Sequence, residues 1–309
     1  MNTVQHLGHF TVVCGLLLWG CGGSDSPEGV ARTDAPATST EPVLQDTDPV
    51  PRVEDCESIT AEFLKVQGQS VEAGRSRLQA CSQHAVLKTL NLMGSAVSDA
   101  GLAHLSSLSG LTDLSLNNTV SDAGMAHLSS LTSLKRLSLV DTQVSDAGLV
   151  HLVGLAQLEN LNLASSQVSD AGLAHLSSLT SLKILDLMST AVGDAGLLHL
   201  AGLTQLEKLY LSATEVSDTG LVHLEGLTNL THLSLMMTQA QVSDAGLVHL
   251  AGLTQLEKLY LSATEVSDTG LVHLEGLTNL TDLNLNDTQV SAAGAAGLKA
   301  ALPGCDIAH

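Results

Sequence analysis

Two residue types recur in columns that could do chemistry. Eight of the 13 histidines stand at His104, His127, His151, His175, His199, His223, His249 and His273. Eight aspartates stand at Asp99, Asp122, Asp146, Asp170, Asp194, Asp218, Asp244 and Asp268, separated by 23, 24, 24, 24, 24, 26 and 24 residues. A histidine ladder suggests metal. If the units stack, equivalent atoms lie about 5 Å apart, too far for two imidazoles to share a zinc at about 2 Å each. No cysteine or carboxylate recurs beside them at ligand spacing, so no metal is expected, and each histidine is read as flanking a helix and bonding a neighbouring backbone group. A catalytic carboxylate pair needs two environments that push its pKa values apart. Repetition makes environments alike instead. No Ser-His-Asp set, glycine-rich phosphate loop or CxxC pair stands outside the repeat. No enzyme activity and no cofactor are expected.

The aromatic residues are a third candidate set. Only Phe10, Trp19, Phe63, Tyr210 and Tyr260 are aromatic among 309 residues, of which 60 are leucine. A core without rings must be built from Leu, Val and Ala. Twelve Lys and Arg against 32 Asp and Glu give a formal charge of −20, and nothing offers the basic stripe that nucleic acid requires.

The elements that position these columns follow from periodicity. In Leu137-Ser138-Leu139 apolar and polar residues alternate, the pattern of a half-buried strand. Leu149, Leu152 and Leu155 are spaced three apart and predict a short helix with one buried stripe. Ser145 or Asp146 stands where an N-cap or first-turn carboxylate stabilises that helix. One unit cannot cover both apolar faces. Stacked units can, with parallel strands on a concave side and helices on a convex side.

The full unit reads L-x-x-L-x-L-x-x-T-x-V-S-D-x-G-L-x-H-L-x-x-L, as in the stretch beginning at Leu134. It resembles the leucine-rich repeat, in particular the 24-residue Thr- and Asp-Gly-Leu-containing repeats of exported bacterial proteins, and more distantly those of F-box proteins and ribonuclease-inhibitor-like folds. The resemblance covers about residues 73–307. It implies an α/β fold: a leucine-rich-repeat solenoid, curved as a horseshoe. Where many such repeats carry Asn after the strand, this chain carries Thr119, Thr142, Thr190, Thr214, Thr238, Thr264 and Thr288, with Ser95 and Ser166 in two copies. A hydroxyl stack there is expected to satisfy turn backbone groups. Residues 201–231 and 251–281 are identical at all 31 positions, a copied two-repeat block. Gln239-Ala240-Gln241 marks a two-residue insertion at a turn.

The remaining chain is read as follows. Residues 1–20 are a signal peptide: the apolar run from Phe10 to Trp19 is too short for a hydrocarbon layer of roughly 30 Å. Leu18-Trp19-Gly20-Cys21 resembles the lipobox of bacterial lipoproteins, which implies a lipid on Cys21 and stable membrane anchoring. An ordinary signal peptide cut nearby is the alternative. Residues 21–55, rich in Ser, Thr, Pro and Asp, form a disordered tether. Residues 56–86 form an N-terminal cap, where Cys56 and Cys81 suit a disulfide in an oxidising compartment; two buried thiols are the alternative. Residues 87–291 are the repeats and 292–309 the C-terminal cap, with Ile307 in the place of a strand leucine and Cys305 as a small cap residue.

Function in this architecture is expected on the outward strand positions. The column between the strand leucines reads Asn91, Ser115, Ser138, Asn162, Asp186, Tyr210, Ser234, Tyr260 and Asn284. The column before it carries Lys208, His232 and Lys258. Tyr210, Tyr260, Lys208, Lys258, His232 and Ser234 are therefore the candidate ligand-binding residues. The expectation is an exported, monomeric, membrane-anchored protein of the bacterial outer membrane or cell surface, binding a protein ligand on its concave face. The alternatives are an intracellular or host-injected adaptor of the F-box-associated type, or a structural envelope protein without a specific ligand.

Overall fold

The computed structural model describes residues 87–93, 97–116, 118–238 and 242–309. Cys21, Cys56, Cys81, Phe63, Ser95 and the 239–241 insertion lie outside the described residues.

Ten three-residue strands form one open, all-parallel sheet in chain order. They are β1 Thr89–Asn91, β2 Asp113–Ser115, β3 Arg136–Ser138, β4 Asn160–Asn162, β5 Ile184–Asp186, β6 Lys208–Tyr210, β7 His232–Ser234, β8 Lys258–Tyr260, β9 Asp282–Asn284 and β10 Asp306–Ala308. The central leucines pair strand to strand, Leu137 with Leu161 and Leu161 with Leu185, so register never slips. A slip of one residue would turn every leucine outward. At the C-terminal end Ile307 pairs with Leu283. A helix, Ala292–Ala301, and the buried Cys305 precede that last strand.

Between strands the chain makes two helical pieces. Asp146–Leu149 is one α-helical turn and Val150–Leu152 continues it as 3-10 helix. The same division recurs from Asp122–Met125 to Asp244–Leu247. The short helix expected from the leucine spacing is present, divided into these two pieces. Leucines exactly three apart match three residues per turn, and a strict period of three favours 3-10 geometry. Ser145 is the N-cap, and its side chain accepts from the Ala147 N–H.

Leu134, Leu137, Leu139, Val144, Leu149, Leu152 and Leu155 are buried, and their equivalents in neighbouring repeats stack on them as one core. Each buried leucine contributes about 1.5–3 kcal/mol by leaving water. Most of the threonine column acts within its own repeat. Thr142 Oγ1 donates to Leu139 O at 2.7 Å, and Thr190 Oγ1 to Leu187 O at 2.6 Å. Thr119 instead donates to Val97 O of the preceding repeat. The hydroxyls satisfy backbone carbonyls one by one, because each has a single proton to give.

The aspartate column joins repeats. Asp146 Oδ1 accepts from the Ser169 N–H at 2.7 Å, and Oδ2 from the Ser169 hydroxyl at 2.6 Å. Asp122 grips Ser145, Asp194 grips Ser217, and Asp268 grips Ser291 in the same way. At Gly193 only the backbone half survives, donated to Asp170 Oδ1 at 2.6 Å. Charge-assisted hydrogen bonds of this kind are about twice as strong as neutral ones.

Candidate functional site

Alternation along each strand sends its first and third residues to the open face, while the middle leucine enters the core. On β6 to β8 this brings the candidate residues into two rows. Register places Lys208 beside His232 and His232 beside Lys258. It places Tyr210 beside Ser234 and Ser234 beside Tyr260. All six residues predicted from sequence therefore come together on three adjacent strands. Columns two strands apart are about 10 Å from each other.

Ser234 is the floor of the tyrosine row, only 2% exposed. Its Oγ lies 2.7 Å from the Oγ of buried Ser212. Tyr210 and Tyr260 stand half-buried on either side. At one end lie the basic groups. At the other, Met188 and Met236 follow the strand leucines, with Met188 exposed.

The electrostatics are of mixed sign. Lys258 Nζ lies 3.5 Å from Asp282 Oδ2, whereas Lys208 makes no ion pair among the described residues. Burial, then Lys208 and Lys258, push the His232 imidazole below its ordinary pKa, against the opposing pull of Glu257 and Asp282. Burial raises the Tyr210 phenol, and the charge of Asp186 and the neighbouring Tyr260 add to it. Asp186 pairs in register with Tyr210. Burial pushes its carboxyl up, opposed by the Met188 N–H, which donates to Oδ1 at 3.0 Å, and by Asn162.

Asp186 is the site neighbour that sequence reasoning passed over. Its column was visible, but nothing in the residue type distinguished a carboxylate beside a tyrosine from any other polar strand position. A separate cavity of about 370 Å³, lined by Lys135, Glu159 and Lys183 among others, contains none of the six candidate residues. There the Glu159 carboxylate bridges Lys183 at 3.1 Å and Lys135 at 3.4 Å. Hydrogen bonds from Lys183 and Lys135 hold it below the usual carboxylate range.

The histidine column lies half-buried on the helix side. His249 Nδ1 meets the Glu225 carboxylate of the preceding repeat at 2.7 Å, where a backbone partner was expected. The reason is spatial: Glu225 stands one repeat earlier on the same exposed flank. Among the described residues, no group of three or more His, Cys, Asp or Glu is arranged to hold a metal. No helix among them is long and apolar enough to cross a membrane.

A family model described as Leucine Rich repeat matches residues 130–153, 178–201 and 276–299. No curated protein matches the chain. Among solved structures, the chain is similar to an internalin C2 of Listeria monocytogenes, 28% identical, covering 72% of this chain and 88% of that one with a TM-score of 0.47. It is also similar to an internalin (inlF) of Listeria monocytogenes, 19% identical, covering 86% of this chain and 92% of that one, again with a TM-score of 0.47. The in-register leucine strands, the helical returns and the matched segments together describe a leucine-rich-repeat solenoid.

Proposed function

We propose that the chain is an exported binding protein, held at the bacterial cell envelope through a lipid on Cys21, that recognises a protein ligand on its strand face. Lys208, Tyr210, His232, Ser234, Lys258 and Tyr260 make the contact. The single observation that carries this reading is the register of Tyr210, buried Ser234 and Tyr260, which sets two tyrosines on either side of a polar trough. Tyrosine is enriched at interface hot spots because it offers a large rigid area and a hydroxyl at low entropic cost. The tether of residues 21–55 would carry the repeats away from the membrane, and a Cys56–Cys81 disulfide would staple the first repeat's cap.

The test compares full-length wild type with Tyr210→Ala and Tyr260→Ala in pulldowns from envelope extracts. Each variant is expected to weaken capture of a specific partner by more than about 1 kcal/mol, with an unchanged folded state, while Glu275→Ala on the helix side retains it. Equal capture by both tyrosine variants would place the site elsewhere. Cys21→Ser is expected to move the chain from the membrane to the soluble fraction; unchanged partitioning would remove the lipid anchor.

A further inference from the structure

The described part of an acidic chain keeps its positive charge in few places. Lys135 and Lys183 share Glu159, Arg136 is paired with Asp113, and Lys258 faces Asp282. Lys88 and Lys299 donate to the backbone carbonyls of Gly110 and Cys305. Lys208 has no ion pair among the described residues, and its register neighbour is His232. The helix-start aspartates are held by the serines of the next repeat and cannot turn to this row. The chain's own carboxylates reach the row at one end, Asp282 on Lys258 and Glu257 near His232, and leave Lys208 as the cation that a partner's carboxylate would meet.

His232 stands against a hydroxyl. The Thr231 hydroxyl donates to the Glu207 carbonyl at 3.0 Å and lies 2.9 Å from His232 Nδ1, a contact that orients the imidazole. Lysine ammonium groups flank it on both neighbouring strands.

We propose that Lys208, His232 and Lys258 form a carboxylate-binding edge, so that the ligand of the strand face is an extended, acidic segment of polypeptide. The inference rests on the strand face being the binding surface. An aspartate or glutamate side chain sits at His232 between the two lysines. The adjoining apolar side chain enters the trough over Ser234, between Tyr210 and Tyr260, toward Met188 and Met236. Methionine side chains adapt to varied apolar shapes. The apolar end is what favours polypeptide over an acidic polysaccharide, which would bring charge to the lysines and nothing to the methionines.

The experiment pans a random dodecapeptide display library on the full chain, on Lys208→Glu/Lys258→Glu and on Tyr210→Ala/Tyr260→Ala. Selected peptides are then measured by fluorescence polarisation, with polygalacturonate as a competing probe. Wild type is expected to enrich peptides pairing Asp or Glu with an aliphatic residue. The charge-reversed chain is expected to lose at least tenfold in affinity for them and to enrich Lys or Arg instead. His232→Gln should weaken binding less than the charge reversal does. Peptides with no acidic enrichment that still depend on the tyrosines would overturn the carboxylate edge and leave strand-face binding standing. Selected peptides that bind every variant equally would overturn both. Polygalacturonate binding tighter than any peptide, and lost on charge reversal, would overturn the polypeptide assignment.

Discussion

The carboxylate of Asp146 occupies the space in which a side chain on Gly172 of the next repeat would stand. A Cβ on Gly172 would press on Asp146 Oδ1 and lie 3.0 Å from Leu149 Cδ1 and 3.2 Å from the Asp146 Cα. That Oδ1 is engaged, accepting the Ser169 N–H at 2.7 Å, so it cannot retreat without breaking an inter-repeat bond. Asp, Gly and Ser in the repeat are therefore one device: a carboxylate, the space for it, and the donor it reaches.

Gly172→Ala is accordingly expected to destabilise the stack by about 1–3 kcal/mol, the usual cost of overpacking a filled site. Gly154→Ala is the comparison, since its added Cβ would meet nothing within 4 Å. It is expected to be neutral or mildly stabilising through the loss of unfolded-state entropy. Urea midpoints of the two variants check this. Equal midpoints would mean that the carboxylate has room to move.

The fold was legible because each leucine column encodes its own direction. Alternation gave the strands and the spacing of three gave the helical returns. The Asp–Gly–Ser device was not legible, because its partners lie 23 residues apart for Asp146 and Ser169 and belong to different copies. Reading Asp146 within its own repeat leads only to a first-turn carboxylate. Identical sequence does not even fix local geometry: Asp218–Leu221 is an α-turn, whereas its copy enters 3-10 helix at Gly270–Leu274. In that copy the Thr269 hydroxyl also reaches Asp244 of the neighbouring repeat. The six candidate binding residues were legible because register follows from the repeat. Burial of Ser234 was not, since it depends on side chains packed from adjacent strands.

The last two aspartates of the ladder make its C-terminal end sensitive to acid. Hydrogen bonds from the Ser291 hydroxyl and N–H hold the Asp268 carboxyl below its ordinary pKa. Asp244 is also lowered: burial pushes it up, but donors on Ser267, Thr269 and Gly270 outweigh that effect. A carboxylate whose folded pKa is depressed adds stability that is complete above its unfolded pKa of about 3.9. That stability is lost as pH falls through the folded value. The thermal midpoint of wild type is thus expected to exceed that of Asp268→Asn at pH 6, with the gap narrowing as pH falls below about 3.9. A gap that stays constant with pH would show that the carboxylate's charge contributes nothing.

A second recurring cost lies in the turn after each strand. Asp141, Ser165, Ser189, Ala213, Met237, Ala263 and Asp287 all adopt positive φ, with Ala263 at 56°. This left-handed region costs an L-residue roughly 1–2 kcal/mol, and the sequence places no glycine at any of these seven positions. From Asp141 to Ala263 the conformation persists because it aims the N–H at the next repeat: Ala213 donates to Met236 O at 2.8 Å and Ala263 to Asn286 O at 2.9 Å. Glycine would adopt the same φ without penalty, while adding unfolded-state entropy that offsets about 0.4–1 kcal/mol of the gain. Ala263→Gly is therefore expected to stabilise the chain by about 0.5–1 kcal/mol. Ala213→Gly should add to it nearly independently, since the two turns are two repeats apart. Ala245→Gly, in the helical turn Asp244–Leu247, is the opposite control and should cost about 0.5–1 kcal/mol. Urea unfolding of the three single variants and the Ala213→Gly/Ala263→Gly double variant reads all of these at once. If Ala263→Gly lowers the midpoint as Ala245→Gly does, the turn carries no backbone strain, and the inter-repeat hydrogen bond alone accounts for its conformation.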